Sequence, residues 1–501
     1  MNIKVRFLDI GTEPVVLICE EDAMKIGGKD NDRVRIDGKK PAIALLNVSD
    51  FVCSGEAIIS SNLKDIVKAS DGDELNIVYT SSPESVRSIR KKMDNEKLSK
   101  EEINSIVVDI LENRLSKIEV SAWLTALYIN GMDIDEIADF TVSMVETGDR
   151  VEFTRSPVYD FHSMGGVPGN KITPIVVSIV AAAGLMLPKT SSRAISSACG
   201  TSDFVETFCD VEMDTEKLRR ISEEVGGVLA WGGAMNLAPV DDLVIKVEHP
   251  LGINPRAQML ASILSKKLAI GATHLVVDIP MGSGTKVPTI DVAKAYARDF
   301  MDLGEKLDIH VECAITYADQ PVGSAIGPKL EARECIRILE GEKHPSSVIE
   351  KACDIAGMVL EMGGMNNGGE KAREILESGA AMKKFREIVA AQGGNYDIRS
   401  DDLVPGEFVA EVTSVKSGYV HTISNKDLVS IAKAAGAPSD KGAGILLFKK
   451  KGQRVEKGDV LFEIYGDNKA KTDRAKELAA KYKPYDIEGM LLKKIAAPRT
   501  R

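Results

Sequence analysis

Short runs of apolar residues, several of them alternating with polar ones, fill the first part of the chain. They lie at positions 3–8, 15–19 and 75–79, and glycine, aspartate and asparagine separate them. Runs of this length bounded by turn-forming residues are typical of β-strands. The pattern predicts an N-terminal β-rich domain over residues 1–84.

The apolar spacing changes to the helical period after this first segment. Between residues 103 and 111, apolar residues recur three or four positions apart. Three helix-start signals, each a Ser or Asp followed three residues later by a Glu, stand at 99–102, 116–119 and 133–136. An all-helical domain is therefore predicted over residues 85–150.

Strand-like and helical patterns then alternate over residues 151–405. Strand-like apolar runs occur at 175–180, 274–279 and 310–316, and helical patterns at 257–268 and 290–303. Alternation of this kind predicts an α/β domain in which helices pack on a sheet. The run that begins at Ile175 is also compatible with a buried helix.

Strands and glycine turns return in residues 406–501, which are predicted to form a C-terminal α+β cap domain. This segment resembles biotinyl and lipoyl carrier domains, but it lacks the Met-Lys-Met motif that carries the modified lysine, so a structural cap is preferred to a carrier. The predicted fold class is thus multidomain α/β: an all-helical domain plus an α/β domain, flanked by small β domains at both ends.

Composition and charge narrow the range of partners. The 501 residues are 44% hydrophobic, and 64 basic against 75 acidic residues give a net charge of −11. That balance argues against a nucleic-acid polymer as partner, because a phosphate backbone attracts a basic surface. A small anionic molecule in a local basic pocket remains compatible with it.

Cysteine usage and hydropathy bear on location. The seven cysteines are scattered and form no CxxC pair, so neither a disulfide framework nor a zinc site is expected. The longest apolar run, 175–187, is too short to cross a bilayer, and the N-terminus lacks the pattern of a secretory leader. We expect a cytoplasmic protein with no membrane partner.

Two stretches concentrate glycines and hydroxyl groups. The first, FHSMGGVPGNKIT at 161–173, has the glycines that let backbone N–H groups approach an anion, and it contains His162, a candidate acid, base or ligand. The second, KTSSRAISSACGTSD at 189–203, has five serines, two threonines and Arg193, whose guanidinium fork suits phosphate oxygens. Ordinary glycine-rich and serine-rich turns are the structural alternatives.

A third region supplies further candidates. Asn254 precedes a helical pattern that contains Ser262, Lys266 and Lys267, and Lys286 ends the sequence GSGTK after a predicted strand. GSGTK has the spacing of neither a P-loop nor a dinucleotide fingerprint. Surface lysines are the usual explanation when these segments are considered one at a time.

The order of these motifs resembles the thymidine and pyrimidine-nucleoside phosphorylase family over roughly residues 86–490. The SSRAI…GTSDFVE sequence carries most of the resemblance. The extra N-terminal domain, and SSRAIS in place of SGRGL, are similar to the archaeal AMP phosphorylases within that family. Those enzymes convert a nucleoside 5′-monophosphate and inorganic phosphate into ribose 1,5-bisphosphate and free base in nucleotide salvage and degradation.

The resemblance implies a set of site residues. It places around the attacking phosphate Ser163, Thr173, Ser191 and Thr201. It assigns to the nucleotide Gly166, Ser192, Arg193, Ala194, Ile195, Ser196, Ser197, Thr201, Ser262 and Lys286. The catalytic candidates are Asn254 and His162.

Two positions depart from the family pattern. Phe161 replaces a lysine that nucleoside phosphorylases have just before the histidine, and Asn254 replaces an aspartate thought to protonate the leaving base. The resemblance implies AMP, and also CMP and UMP, as substrates. It further implies no cofactor or metal beyond inorganic phosphate as co-substrate, and a homo-dimer or larger homo-oligomer.

Two other functions stay open. One is a thymidine or pyrimidine nucleoside phosphorylase. The other is a catalytically weakened nucleotide-binding homologue, since an asparagine side chain has no acidic proton to give.

Overall fold

The computed structural model describes residues 1–11, 14–194 and 197–491. Its strands are β1 (Asn2–Leu8), β2 (Val15–Ile18), β3 (Arg33–Asp37), β4 (Ala42–Val48), β5 (Glu56–Ser60), β6 (Glu74–Tyr79), β7 (Tyr159–Ser163), β8 (Leu187–Ser191), β9 (Gly227–Trp231), β10 (His274–Met281), β11 (His310–Tyr317), β12 (Ala325–Ile326), β13 (Phe408–Thr413), β14 (Gly418–Ile423), β15 (Gly444–Leu447), β16 (Arg454–Val455), β17 (Val460–Gly466) and β18 (Tyr485–Glu488).

Its α-helices are α1 (Glu20–Ile26), α2 (Lys64–Val67), α3 (Ser85–Met93), α4 (Lys100–Leu111), α5 (Lys117–Asn130), α6 (Ile134–Glu146), α7 (Thr173–Ala182), α8 (Thr201–Val205), α9 (Thr215–Val225), α10 (Pro239–Leu251), α11 (Arg256–Ala269), α12 (Ile290–Lys306), α13 (Pro328–Leu339), α14 (Ser346–Met362), α15 (Gly368–Glu377), α16 (Ala380–Ala391), α17 (Asn425–Ala435) and α18 (Lys469–Tyr482). The contacts divide the chain into two compact units, Met1–Thr147 with Ala238–Ser262, and Gly148–Leu237 with Ile263–Arg501.

A closed six-stranded barrel begins the first unit, in the order β1-β5-β2-β4-β3-β6. Along β1 the side chains alternate between exposed and buried, so that Ile3, Val5 and Phe7 enter the barrel core. The apolar and polar residues alternate in the sequence because successive side chains of a strand point to opposite faces.

Helices α3 to α6 form the rest of this unit together with α10. All three predicted start signals are capping boxes, in which Ser99, Ser116 and Asp133 bond the backbone three residues on. By their contacts, residues 238–262 group with the first unit, where α10 packs against α4, α5 and α6. The domain boundaries 1–84, 85–150, 151–405 and 406–501 stay a prediction.

Parallel strands organise the second unit. Strands β11, β10 and β7 form one sheet in that order, and β8 pairs with β9 in another. Strand β8 lies next to β7, since the Tyr159 N–H donates to the Met186 carbonyl at 3.0 Å. Helices α7, α14 and α16 pack together beside these strands around a large apolar cluster.

The apolar run at 175–180 is helical, so its assignment to the strand-like runs was wrong. It lies inside α7, in which every residue from Thr173 to Ala181 is buried. A helix buried on all sides has no polar stripe, so the periodicity of its sequence cannot distinguish it from a buried strand.

Two small sheets and two helices form the C-terminal part of this unit. The sheets have the orders β12-β15-β17-β13 and β16-β14-β18, and α17 and α18 pack with them around a separate apolar core. Strand β12 comes from residues 325–326, within the segment predicted as the α/β domain. Across the described residues, no helix is both long and apolar enough to cross a membrane.

Candidate functional site

The predicted site residues of the second unit cluster where parallel strands end. Strand β7 ends at Ser163, β8 ends at Ser191, and the loop after β10 leads to Lys286. Parallel neighbours bring their carboxyl ends to the same edge, which is where ligands bind in open α/β sheets. Gly166 adopts a φ of +87°, and a Cβ atom there would lie 3.2 Å from the backbone nitrogen of Lys286. The structure thus brings the loop after β7 and the loop after β10 together.

Asn170 organises the first donor-rich loop, residues 163–173. Its side-chain amide donates to the Ser163 hydroxyl at 3.0 Å and reaches the Asp278 carboxylate at 3.4 Å. The loop ends at Thr173, the buried first residue of the ten-residue helix α7. Unpaired N–H groups in the first turn of a helix and the helix dipole favour an anion at such an end.

Asp203 closes the second donor-rich loop, residues 189–203. Its carboxylate accepts from the Ala194 N–H at 2.7 Å and from the Gly200 N–H at 2.8 Å. Gly200 is required because a Cβ atom there would lie 2.7 Å from the Ser192 carbonyl oxygen. The Ser202 N–H also donates to the Ser192 carbonyl at 3.3 Å, so the start of α8 lies against the Ser192 end of the loop.

The hydroxyl groups of the second loop differ in their partners. The Ser191 and Ser202 hydroxyls lie 2.9 Å apart, and the Ser197 hydroxyl donates to the Cys199 carbonyl at 3.1 Å. Ser192 is exposed. Ile195 and Ser196, both predicted nucleotide contacts, lie outside the described residues.

Arg193, predicted to bind the nucleotide, pairs with carboxylates in this structure. Its guanidinium is bidentate on Glu206 at 2.9 and 2.6 Å, contacts Glu212 at 3.0 Å and Asp203 at 3.7 Å, and stacks on the Trp231 ring at 4.6 Å. These carboxylates already use the fork that was expected to bind a phosphate. In this structure Arg193 holds the loop in place.

A buried cluster of charged side chains lies near His162. The Asp160 carboxylate accepts from the Lys189 ammonium at 3.1 Å and from the Lys267 ammonium at 2.6 Å, and all three side chains are at most 5% exposed. Lys189 also donates to the Phe161 carbonyl at 2.5 Å and lies 4.8 Å from the centre of its ring. We call Asp160, Lys189 and Lys267 the lysine cluster.

The electrostatics of His162 oppose its predicted use as a proton donor. Burial, and then the positive charges of Lys267 and Lys189, hold the pKa of the imidazole well below its usual range. A histidine in this environment is neutral near pH 7. It can donate a neutral hydrogen bond, but it holds no surplus proton for a leaving group.

Asn254 and Ser262 belong to the first unit. The Ser262 hydroxyl donates to the Asp241 carboxylate at 2.8 Å, and Asp241 also accepts from the Gln258 amide at 3.1 Å. Asn254 is exposed and lies two residues before α11. The other described site residues all belong to the second unit.

Three family models match successive parts of the chain. The helical bundle domain of a glycosyl transferase family matches residues 86–148, and the a/b domain of a glycosyl transferase family matches residues 155–382. A pyrimidine nucleoside phosphorylase C-terminal domain matches residues 419–486. Residues 1–84 lie outside these matches.

Curated relatives match the whole length. The AMP phosphorylase of Thermococcus kodakarensis is 49% identical over 500 residues, 99% of each chain. AMP phosphorylase 1 of Archaeoglobus fulgidus is 46% identical over 480 residues, 95% of each chain. The AMP phosphorylase of Methanocaldococcus jannaschii is 46% identical over 500 residues, 99% of each chain.

One solved structure shows the fold of the central part. The anthranilate phosphoribosyltransferase (TrpD) of Thermus thermophilus is similar with a TM-score of 0.51 and 21% identity, over 61% of this chain and 99% of that one. At that identity the likeness concerns the fold alone. Together with the domain matches, it confirms the predicted fold class.

Proposed function

The chain belongs to the AMP phosphorylase family, and on that premise we propose that it cleaves the N-glycosidic bond of AMP with inorganic phosphate. The products are adenine and ribose 1,5-bisphosphate. The observation that carries the proposal is the pair of donor-rich loops at the carboxyl ends of β7 and β8, because phosphorolysis of a nucleotide needs places for two phosphate groups.

The reaction requires charge placement rather than a covalent enzyme intermediate. As the bond to the base breaks, positive charge grows on the ribose and negative charge on the base. In the proposal, the attacking phosphate sits between Ser163, Thr173, Ser191 and Thr201. The serine-rich end of the second loop, with Gly166 and Lys286, takes the 5′-phosphate and ribose, and no metal or organic cofactor takes part.

The two residues that the sequence offers as proton donors for the leaving base are both poor acids. Asn254 can donate only a neutral hydrogen bond, and His162 is held in its neutral form. A water molecule or a neutral donor must then stabilise the departing base. General acid catalysis usually contributes about 10²- to 10⁴-fold, so we propose a kcat for AMP that is lowered by the asparagine.

The most direct test is phosphate-dependent release of base from AMP, CMP, UMP, adenosine and thymidine in parallel. We expect turnover of the three monophosphates and a loss of orders of magnitude without the 5′-phosphate. Equal turnover of thymidine and AMP would favour a nucleoside phosphorylase. Light scattering of the same sample tests the homo-dimer or larger homo-oligomer that the resemblance implies.

The nature of residue 254 favours one second candidate, a nucleotide-binding homologue with little activity. Asn254→Asp distinguishes the two functions. An active site that lacks only its acid should gain kcat for AMP with little change in KM, because an acid acts mainly in the transition state. Tight AMP binding with no base release by either form would establish the binding homologue instead.

A further inference from the structure

The lysine cluster contains two cations and one anion in a place that water barely reaches. Asp160 has no exposed side-chain surface, and Lys189 and Lys267 are 5% and 2% exposed. Both ammonium groups contact the same carboxylate, at 3.1 and 2.6 Å. Two full positive charges this close repel each other strongly when burial removes the screening solvent.

The groups around Lys189 add no further negative charge to balance the pair. Strand β7 contributes Asp160 and the neutral His162, and α11 contributes Lys267. Helix α9 also contacts β8, but its salt bridges join its own residues to one another or to Asp210. Helix α7 and strand β9, which also contact β8, have no titratable side chain within their bounds. The environment therefore disfavours the second ammonium charge.

Lys189 is the lysine of the cluster whose pKa is lowered. Burial, opposed by Asp160 and reinforced by Lys267, lowers the pKa of Lys189 to about 7. Its nitrogen keeps hydrogen-bond partners in either form, since it lies against the Phe161 carbonyl and the Asp160 carboxylate. At neutral pH the free protein is thus a mixture in which Lys189 is protonated in part of the molecules.

The proposed anion site lies on the same strand. Ser191 follows Lys189 by two positions on β8, so the two side chains share one face about 7 Å apart along the strand. A doubly negative group beside Ser191 would supply the charge that the lysine cluster lacks. At this range an extra unit charge changes binding by about tenfold or more.

We propose that Lys189 takes up a proton from solvent when a phosphate-type anion binds beside Ser191. The inference rests on the proposed function only in locating the anion there. The step is a single proton transfer to the neutral amine of Lys189, with a buffer acid as its source. Lys189 would thus act as a positioning residue whose charge appears when the substrate arrives.

Calorimetry in buffers of different ionisation enthalpy measures this uptake directly. Sulfate is the better probe, because inorganic phosphate itself exchanges a proton near neutral pH. If protonation strengthens sulfate binding about tenfold, linkage raises the pKa of Lys189 from about 7 to about 8, so we expect uptake of about 0.4 proton per sulfate at both pH 7 and pH 8. Binding without uptake at either pH would overturn the inference.

Three variants locate the proton. Lys189→Met should bind sulfate about tenfold or more weakly and take up no proton. Lys189→Arg should keep most of the affinity with no uptake, because arginine stays charged. Lys267→Met leaves Lys189 intact but removes its repulsive neighbour, so the pKa of Lys189 should rise and uptake at pH 7 should fall. Uptake that persists in all three variants would contradict the assignment to Lys189.

Lys450 supplies a matched control. Burial lowers its pKa to about 8, and its ammonium contacts the Pro321 and Gly323 carbonyls at 2.6 and 2.7 Å. Lys450→Arg should leave the uptake unchanged, and a loss of uptake there would overturn the inference. Base release without proton uptake would overturn this inference alone, whereas uptake without base release from any monophosphate would overturn only the proposed function.

Discussion

Two clusters of charged side chains lie at the donor-rich loops. Cations outnumber carboxylates in one cluster, and carboxylates outnumber cations in the other. In the lysine cluster two cations share one buried carboxylate. In the other, which we call the arginine cluster, Arg193 is surrounded by Glu206, Glu212 and Asp203 and is 29% exposed. The lysine cluster thus has an excess of cations, and the arginine cluster has an excess of carboxylates.

The pKa directions follow from this difference. The Arg193 guanidinium, with Lys441, holds the pKa of Glu206 at about 2, and the carboxylates raise the pKa of Arg193 still further. Arg193 and Glu206 therefore stay charged at any physiological pH, and their ion pair holds the second loop in a fixed position. The lysine cluster is instead sensitive to charges brought close to it.

The largest effect is expected from removing the shared carboxylate. Asp160→Asn leaves two buried ammonium groups without an anion, and breaking a buried pair in this way costs about 3 to 5 kcal/mol. The free energy of unfolding, measured by denaturant titration at pH 7, should fall by about that amount. The control Glu206→Gln acts on a partly exposed carboxylate and should cost much less, so equal losses would contradict the contrast between the clusters.

The next effect concerns stability and pH. In the folded chain the pKa of Lys189 is lowered to about 7, whereas in the unfolded chain it stands near 10.4. Between these values the unfolded state binds a proton that the folded state does not, so stability rises with pH.

Relative to Lys189→Met, the wild type should gain about 2 kcal/mol between pH 7 and pH 9. Denaturant unfolding of both proteins at several pH values measures the gain. Parallel stability curves across that range would show that Lys189 titrates normally.

A smaller effect separates two roles of Arg193. If it braces the loop, then Arg193→Lys and Glu206→Gln break the same bidentate pair from opposite sides, and each should raise the KM for AMP by about tenfold. If the guanidinium instead binds the substrate phosphate, freeing it with Glu206→Gln should lower the KM. Steady-state kinetics at fixed phosphate give the answer.

The smallest effect is expected at the rim of the arginine cluster. Glu212 is 59% exposed, and surface ion pairs contribute at most about 1 kcal/mol. Glu212→Gln should change the free energy of unfolding by less than about 0.5 kcal/mol and leave the KM for AMP unchanged. A larger loss would mean that the arginine cluster depends on all three carboxylates rather than on Glu206.

Local signals in the sequence predicted much of the fold. The capping boxes at Ser99, Ser116 and Asp133 were found because each involves residues only three positions apart. Helix α7 was missed because its uniform burial removes the periodicity on which the prediction depends. The resemblance to the phosphorylase family and the predicted class of enzyme are confirmed by the curated relatives.

The charge clusters were not predicted, for a physical reason. Asp160 lies 29 positions from Lys189 and 107 from Lys267, so only the folded sheet brings them together. Asp160 within the buried strand β7 is a local signal that could have indicated them, but no strand was predicted there. Arg193 was recognised as a phosphate-type donor. Its carboxylate partners Glu206 and Glu212 follow it at a spacing that matches no local sequence pattern, so they were not predicted. The roles of the other site residues stay predictions.

Strand β12 limits where the chain can be cut to isolate the C-terminal sheet. Its two residues pair with β15, and the Leu447 N–H donates to the Ser324 carbonyl at 2.8 Å. A fragment that begins at residue 406 would lack β12. Strand β15 would then be an unpaired edge strand, which can pair with another copy of the fragment. A soluble fragment of this region must carry residues 324–327 on an added linker.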